Sequence, residues 1–154
     1  MIRIGYAPGP FDPFHIGHPN LLRRAKEHRD YLVASVVGDE VMMEHKGVTP
    51  VIPLAERLEI IRNVRFVDAA VAGLTSDKVA IWKDLRFNVL FEGSDWQGTE
   101  KSNKLEREFA SLGVEIAYPP YTLATSSSAL RRTLQNIDTL AGRASNRAVL
   151  ARAA

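Results

Sequence analysis

Short apolar runs alternate along this chain with longer segments in which apolar residues recur at helical spacing. The apolar runs are rich in Val, Ile and aromatic residues, and most are nearly continuous in hydrophobicity. Such runs are typical of strands that are buried on both faces of a sheet. They predict five strands, at residues 2–7, 31–37, 66–72, 89–92 and 114–118.

The segments between these runs predict helices at residues 15–29, 54–63, 77–86 and 102–112. In the first of them, Leu21, Leu22 and Ala25 form an apolar stripe that would face the core. A last helix is predicted to begin near Ser127. The Ala- and Arg-rich sequence after Ile137 has only a weak apolar stripe, and we interpret it as a helix that packs on a partner subunit.

Alternation of strands and helices predicts an α/β domain, a doubly wound, Rossmann-like parallel sheet of five strands with right-handed crossovers. We assign residues 1–135 to this domain and residues 136–154 to a helical extension of it. In open α/β sheets the ligand lies beyond the carboxyl ends of the strands. Polar clusters follow four of the predicted strands, so we expect one site at that edge.

Composition narrows the function classes. The chain has 154 residues, which suits one domain, and it has no cysteine, which excludes disulfides, thiolate catalysis and zinc–thiolate sites. The net charge is only +2, and the C-terminal arginines lack interleaved aromatics, so nucleic-acid binding is not expected. Neither a signal-peptide stretch nor a membrane span is apparent, and we expect a cytoplasmic protein without membrane association.

The strongest motif follows the first predicted strand, where residues 9–18 read GPFDPFHIGH. The motif is neither a Walker loop nor a dinucleotide-binding Gly-x-Gly-x-x-Gly. It predicts a tight turn into a helix whose first turn carries His15 and His18 on one face, beside free backbone N–H groups that suit phosphate. Gly17 would let a nucleotide approach the backbone. The alternatives are a metal-binding histidine pair, or a plain helix start capped by Asp12 and Pro13.

The pattern Gly-x-Phe-Asp-x-x-His-x-Gly-His resembles the signature of the HIGH-type nucleotidyltransferases, in particular their cytidylyltransferase group. The resemblance covers about residues 2–134 and includes further stretches in matching order. They are DE at 39–40, HKG at 45–47, PLAER at 53–57, VRFVD at 64–68, GSDWQG at 93–98 and TSSSALR at 125–131. The GSDWQG stretch is similar to that of the glycerol-3-phosphate cytidylyltransferases.

Two departures from the cytidylyltransferase pattern concern the base. Residues 121–124 read YTLA where that group has Arg-Thr-x-Gly, and Ser94 stands where it has an aspartate. The similar heptose-phosphate adenylyltransferases, which use ATP, also lack that arginine and share a Lys-Gly-x-x-Pro-like loop. Arg131 or Arg132 would compensate for the missing charge, and CTP is the expected nucleotide.

The resemblance implies in-line attack by a substrate phosphate oxygen on the α-phosphorus of a nucleoside triphosphate, with pyrophosphate leaving. His15 and His18 would contact the α- and β-phosphates, Lys46 would close over them from a mobile Gly/Pro-rich loop, and Arg131 would add charge. Mg²⁺ is expected to come with the triphosphate, and no metal site made by the protein alone is predicted.

Nucleotide binding is further assigned to Gly9, Pro10, Phe11, Asp12, Gly17, Asp95, Trp96, Ser126, Ser127 and Ser128, and acceptor binding to Lys46, Arg57 and Arg65. Several of these residues have structural alternatives. The serines could simply cap a helix, and Trp96 could belong to the core. Arg57 could pair with Glu56 or Glu59, and Arg65 with Asp68. Asp12 and Asp95 would bind Mg²⁺, the base or sugar, or orient a cation.

The function implied is transfer of CMP from CTP to a small phosphorylated alcohol, glycerol 3-phosphate or similar. The first alternative is an adenylyltransferase that uses ATP on a sugar phosphate or a cofactor precursor. The second, from another class, is a non-catalytic nucleotide-binding module, which predicts damage to the catalytic cluster. Both histidines, Lys46 and the serine segment are present in the chain. A homodimer is expected.

Overall fold

The computed structural model describes residues 1–27, 29–123 and 125–152. Parts of three predictions lie outside the described residues: position 28 of the 15–29 helix, position 124 of the YTLA stretch, and positions 153–154 of the C-terminal extension. Five strands form one parallel sheet in the order β3-β2-β1-β4-β5, which confirms the predicted fold class. They are β1 (Ile4–Gly9), β2 (Tyr31–Val37), β3 (Ala69–Gly73), β4 (Val89–Phe91) and β5 (Glu115–Ala117).

The strand order reverses beside β1. The chain moves outward from β1 to β2 and β3 on one side, then crosses to β4 and β5 on the other. The carboxyl ends of β1 and β4 are therefore neighbours at the switch point, where ligands bind in sheets of this kind.

Helices cover both faces of the sheet. They are α1 (Gly17–Lys26), α2 (Asp39–Lys46), α3 (Leu54–Arg62), α4 (Lys78–Leu85), α5 (Glu100–Ala110) and α6 (Ser127–Arg152), with a short 3₁₀ turn at Ser94–Trp96. One core cluster includes Leu22 from α1 and Ile61 from α3. The second includes Phe109 from α5, with Trp82 of α4 packed against it. The two clusters share no residue, as expected for a sheet that separates two apolar layers.

Three predicted boundaries are corrected. α1 begins at Gly17 rather than at residue 15, because the side chain of Asp12 is used elsewhere and does not cap it. β3 begins at Ala69, because residues 64–67 form a turn closed by the Val67 N–H and the Val64 carbonyl at 2.9 Å. α5 begins at Glu100, preceded by Thr99, whose hydroxyl accepts a hydrogen bond from the backbone N–H of Ser102.

Helix α2 was not predicted. Asp39 and Glu40 lie in its first turn and His45 and Lys46 in its last, an arrangement that favours the helix dipole. Gly47 ends the helix with a φ of 63°, the left-handed conformation that glycine adopts at no steric cost. Lys46 is therefore the last residue of a helix, and the prediction that it belongs to a mobile loop is wrong.

Helix α6 continues without a break past residue 135. Residues 132–142 are exposed along the helix, and they include Leu134, Ile137 and Leu140, which are 41%, 56% and 64% exposed. Packing of this segment on a partner subunit stays a prediction. Within the described part of the chain, no helix is long and apolar enough to cross a membrane.

Candidate active site

His15 and His18 lie in a turn between β1 and α1, at the switch point. His15 precedes the helix, so a turn rather than a helical face brings the two rings together, with centroids 4.1 Å apart. The backbone N–H of His15 donates to Nδ1 of His18 at 3.0 Å, and that of Gly17 donates to Nδ1 of His15 at 3.1 Å. Because both Nδ1 atoms accept, each neutral ring carries its proton on Nε2 and can donate it to a ligand.

Gly17 is required by this turn. A Cβ atom at this position would lie 2.6 Å from Cε1 of His15, closer than real contacts allow, and 3.0 Å from its Nδ1. The missing side chain therefore makes room for the His15 ring, a constraint that the sequence did not reveal. Whether a nucleotide also approaches the backbone here stays a prediction.

Aromatic rings surround His18 and govern its charge. Phe14 stacks on its ring at 5.3 Å, and Phe11 meets it edge-on at 5.5 Å. The pKa of His18 is lowered to about 4, first by burial and then by nearby His15, while Asp12 opposes the shift. Burial also lowers the pKa of His15. At neutral pH both rings are therefore neutral hydrogen-bond donors rather than cations.

The position of Phe11 contradicts its predicted contact with the nucleotide. Its side chain is only 3% exposed and belongs to the core cluster shared by β1, α1 and α3. Gly9 gives this ring its space, since a Cβ there would lie 3.2 Å from Cζ of Phe11. The Phe11 ring thus packs against His18 from the core side.

Asp12 orients a cation, which was one of its predicted roles. Its carboxylate accepts hydrogen bonds from the backbone N–H groups of Val51 and Ile52, both at 2.8 Å, and pairs with the Arg131 guanidinium at 2.6 Å. The residue is 2% exposed. The alternative in which Asp12 caps α1 is wrong, because Ile16 occupies the cap position.

A cavity of about 350 Å³ lies between α2 and the first turns of α6. Pro10 and Asp12 from the turn after β1 also line it, so the cavity adjoins the histidine turn. Three cationic side chains, one from α2 and two from α6, contribute to its wall. They are Lys46, Arg131 and Arg132.

The three serines at the start of α6 have different roles. Ser126 caps the helix, since its hydroxyl accepts from the backbone N–H of Ala129 at 3.1 Å. The Ser127 hydroxyl donates to the Pro13 carbonyl at 3.1 Å and ties α6 to the histidine turn. Ser128 is exposed, and together with Ser127 it lines the cavity. The positive end of the α6 dipole therefore meets the three cations, and the cavity suits a polyphosphate.

Arg57 does not reach a substrate. Its side chain is 0% exposed. The guanidinium donates to the carbonyls of Ile52, Pro10 and Val37 and pairs with the Asp39 carboxylate. The predicted contact with the acceptor phosphate is therefore corrected, and so is the pairing with Glu56 or Glu59. Arg57 instead joins the ends of β1 and β2 to the segment before α3.

The structure also places Arg65 away from the acceptor site to which the sequence analysis assigned it. It precedes β3 and so lies at the amino edge of the sheet, away from the histidine turn. Its guanidinium lies over the Phe66 ring at 5.6 Å. The alternative pairing with Asp68 is wrong too, because that carboxylate pairs with Lys26 at 2.6 Å.

The turn after β4 lies beside the histidine turn at the switch point, because β4 is the neighbour of β1 in the sheet. Asp95 Oδ1 accepts a hydrogen bond of 2.6 Å from the Tyr121 hydroxyl, a contact that the sequence analysis missed. Trp96 is 39% exposed with Lys101 Nζ 4.8 Å from its ring centre, so it is not a core residue. It lines a second cavity of about 290 Å³ between α4 and α5.

Metal binding by the histidine pair would require ligands from outside the described side chains. Among the described residues, no group of three or more His, Asp or Glu side chains is placed to hold a metal ion. Both Nδ1 atoms are also engaged by the backbone. Mg²⁺ brought by a triphosphate stays a prediction.

Comparison with known proteins identifies the family. A model described as "Cytidylyltransferase-like" matches residues 6–133. The chain belongs to this family. It is accordingly a nucleotidyltransferase, and the site just described contains most of the residues that the family resemblance assigned.

Two kinds of relative are found. FAD synthase of Pyrococcus abyssi is 33% identical over 114 residues, 73% of this chain and 77% of the relative. Ethanolamine-phosphate cytidylyltransferase of Dictyostelium discoideum is 32% identical over 144 residues, 87% of this chain and 38% of the relative. The chain is therefore similar to proteins that are named for different reactions.

Solved structures agree on the fold. A lipopolysaccharide core biosynthesis protein from Thermoplasma volcanium superposes with a TM-score of 0.67 at 25% identity, over 79% of this chain and 100% of that one. Pantoate-beta-alanine ligase from Francisella tularensis gives 0.62 at 16% identity, over 84% and 65%. The second likeness shows the fold alone.

Proposed function

We propose that the protein transfers CMP from CTP to a small phosphorylated alcohol, such as glycerol 3-phosphate, and releases pyrophosphate. The observation that carries this proposal is the position of the histidine turn beside the cationic cavity. The turn that holds the two neutral imidazoles is tied to the N-terminus of α6 through Ser127, and its residues Pro10 and Asp12 line the same cavity as Lys46 and Arg131. This combination suits a triphosphate whose α-phosphorus is attacked.

In the reaction, an oxygen of the acceptor phosphate forms a bond to the α-phosphorus, and the bond from that phosphorus to the bridging oxygen breaks. Pyrophosphate leaves with the electron pair. His15 and His18 donate hydrogen bonds to phosphate oxygens as negative charge moves toward the leaving group. Lys46, Arg131 and the α6 N-terminus stabilise the pyrophosphate, and Ser127 holds α6 against the histidine turn. Mg²⁺ carried by the triphosphate would neutralise part of its charge.

The choice of CTP rests on the family description, on the ethanolamine-phosphate cytidylyltransferase relatives and on the GSDWQG stretch. A second candidate is adenylyl transfer from ATP to a cofactor precursor. The FAD synthase relatives favour it, since FAD contains an adenylate half, and so does the absence of the arginine before α6. The phosphate-binding residues would be the same in both reactions.

The test is pyrophosphate release with Mg²⁺ and each of the four nucleoside triphosphates. The acceptors are glycerol 3-phosphate, ethanolamine phosphate, a sugar phosphate and a phosphorylated flavin. We expect the highest kcat/KM with CTP and a phosphorylated alcohol. This activity should not change when a zinc-selective chelator is added. A preference for ATP would establish the second candidate. If no combination of triphosphate and acceptor releases pyrophosphate although triphosphates still bind, the protein is a non-catalytic nucleotide-binding module.

We also propose that the protein is a homodimer. The exposed apolar side chains of α6 at Leu134, Ile137 and Leu140 support this proposal, because burial of such side chains is favourable. Light scattering on the purified protein measures the mass directly, and a monomer at micromolar concentration would contradict it.

A further inference from the structure

Helix α2 is attached to the rest of the molecule near its first turn. The backbone N–H of Gly38, directly before the helix, donates to the Gly73 carbonyl at 2.9 Å, and Met42 is the one buried residue of the helix. Residues 43–46, at the other end, are exposed. The direction of α2 is therefore set close to Asp39, whereas Lys46 at its last position lines the cavity.

The Asp39 side chain joins the start of α2 to the start of α3. Its Oδ1 accepts a hydrogen bond from the Arg57 guanidinium, and its Oδ2 accepts a long one, of 3.4 Å, from the backbone N–H of Leu54, the first residue of α3. A carboxylate at this place also favours the α3 dipole. The sequence analysis singled out the DE stretch at 39–40, yet the proposed function gives it no role.

Arg57 extends this contact to the histidine turn. Its Nη1 donates to the Pro10 carbonyl at 2.6 Å and to the Val37 carbonyl at 2.8 Å. The guanidinium is fully buried, so it cannot touch a substrate, and the Asp39 carboxylate neutralises it. Because an unpaired buried charge is costly, this pair is held firmly. A continuous series of contacts therefore joins Lys46, through α2, Asp39 and Arg57, to the turn that carries the histidines.

We infer that Asp39 is a positioning residue, whose ion pair with Arg57 holds α2 in the direction that brings Lys46 to the reacting phosphates. This inference rests on the proposed function. Lys46 ends the helix that Asp39 begins, about 10 Å further along the axis. A tilt of about 6° at the first turn would therefore move the Lys46 end by about 1 Å, a misplacement that costs up to ~100-fold in rate. Since charge moves onto the pyrophosphate as the bond breaks, a displaced Lys46 lowers turnover more than nucleotide affinity.

A double-mutant cycle separates this role from a structural one. The variants are Asp39→Asn, Lys46→Ala and the two combined. Glu40→Gln is the matched control, because Glu40 is exposed in the same first turn of α2 and its substitution removes the same charge from the helix dipole. Pyrophosphate release at saturating substrates gives kcat, and calorimetry with Mg²⁺ and no acceptor gives the Kd of CTP and of ATP.

A second substitution, Asp39→Glu, keeps the charge that neutralises Arg57 but lengthens the side chain by one methylene. It takes the place of Asp39→Asn in the cycle if the asparagine variant does not fold. A thermal unfolding curve for each variant shows whether it is folded at the temperature of the assay.

We expect Asp39→Asn to lower kcat by ~10- to 100-fold, because Lys46 is displaced, while the Kd of the nucleotide stays close to that of the wild type. Lys46→Ala should lower kcat by ~100-fold or more. The double variant should have the kcat of Lys46→Ala to within ~3-fold, because Asp39 has no further effect once the lysine is gone. Glu40→Gln should keep the wild-type kcat.

Three results would overturn the inference alone. If the two losses multiply in the double variant, Asp39 acts on catalysis by a route other than Lys46, such as the histidine turn. A wild-type kcat in folded Asp39→Asn would show that the ion pair does not position α2, and an equal loss in Glu40→Gln would assign the effect to the helix dipole. Absence of pyrophosphate release by the wild-type protein with every triphosphate and acceptor would instead overturn the proposed function.

Discussion

Asp12 and Arg131 lie 119 positions apart in the chain and form an ion pair of 2.6 Å in which the Asp12 side chain is 0% exposed. The pair connects the turn after β1 to α6. Since the same carboxylate accepts the N–H groups of Val51 and Ile52, three separate segments depend on one buried negative charge. Arg131 is thereby held at the cavity before any ligand arrives.

Substitution Asp12→Asn should lower the free energy of unfolding by ~2–4 kcal/mol. The amide cannot neutralise Arg131, and one of its own donors would face a backbone N–H group. We also expect kcat/KM to fall by ~10- to 100-fold, because Arg131 and the segment before α3 lose their positions. Urea unfolding and pyrophosphate release measure the two effects. Asp77→Asn is the control, since asparagine caps a helix as well as aspartate does.

Substitution of either histidine should lower turnover far more than it lowers the free energy of unfolding. In His15→Asn and His18→Asn the side-chain oxygen can replace Nδ1 as the acceptor of the turn hydrogen bonds, but the Nε2–H donor is lost. His15→Asn should keep a free energy of unfolding close to wild type, whereas His18→Asn should lose ~1–2 kcal/mol with its contacts to Phe11 and Phe14. Each variant should lose at least ~100-fold in turnover. An active Asn variant would show that the imidazole it replaced does not contact the reacting phosphates.

The close contact at Gly17 predicts a loss of activity without a loss of stability. In Gly17→Ala the new Cβ would force the His15 ring to move, and a displacement of this size costs up to ~100-fold in rate. The unfolding free energy should change little, because alanine favours the helix that begins here. Gly142→Ala is matched, since nothing lies within 4 Å of its Cβ. Equal turnover in the two variants would mean that the ring relaxes freely.

The partly buried His18 makes stability depend on pH. Its pKa falls from 6.5 to about 4 on folding, so between these values the unfolded chain binds a proton that the folded protein excludes. The free energy of unfolding should therefore decrease as the pH falls from about 6.5 to 4, by up to about 3 kcal/mol. The measurement is urea unfolding across this range for the wild type and for His18→Asn, which lacks this contribution. His45→Asn, on the surface of α2, should follow the wild type.

Much of the fold was accessible from the sequence because parallel strands buried on both faces leave continuous apolar runs. All five strands were located, with errors of up to three residues at their ends. The helices before α6 were recognised where an apolar stripe was clear. α2 was missed because only Met42 among its residues is buried, so its amphipathic pattern is weak.

The site was harder to predict where long-range contacts decide the role of a residue. Asp12 has a sequence setting typical of a helix cap, yet its partners lie 39, 40 and 119 positions away. Arg57 resembles a phosphate-binding arginine in sequence, but carbonyls from three other segments surround it. Tyr121 was noted only as part of the YTLA stretch, and its hydrogen bond to Asp95 could not be predicted, because only folding brings residue 121 against the turn after β4.

The segment between α2 and α3 has no regular secondary structure, yet side chains hold its backbone at four points. Asp12 binds the N–H groups of Val51 and Ile52, Arg131 the Thr49 carbonyl, and Arg57 the Ile52 carbonyl. Connections of this kind usually open by local fluctuation at little cost. Here, opening would expose a buried carboxylate and a buried guanidinium together. We therefore expect the amide hydrogens of Val51 and Ile52 to exchange with solvent as slowly as those of the central strands, although this stretch has no regular secondary structure.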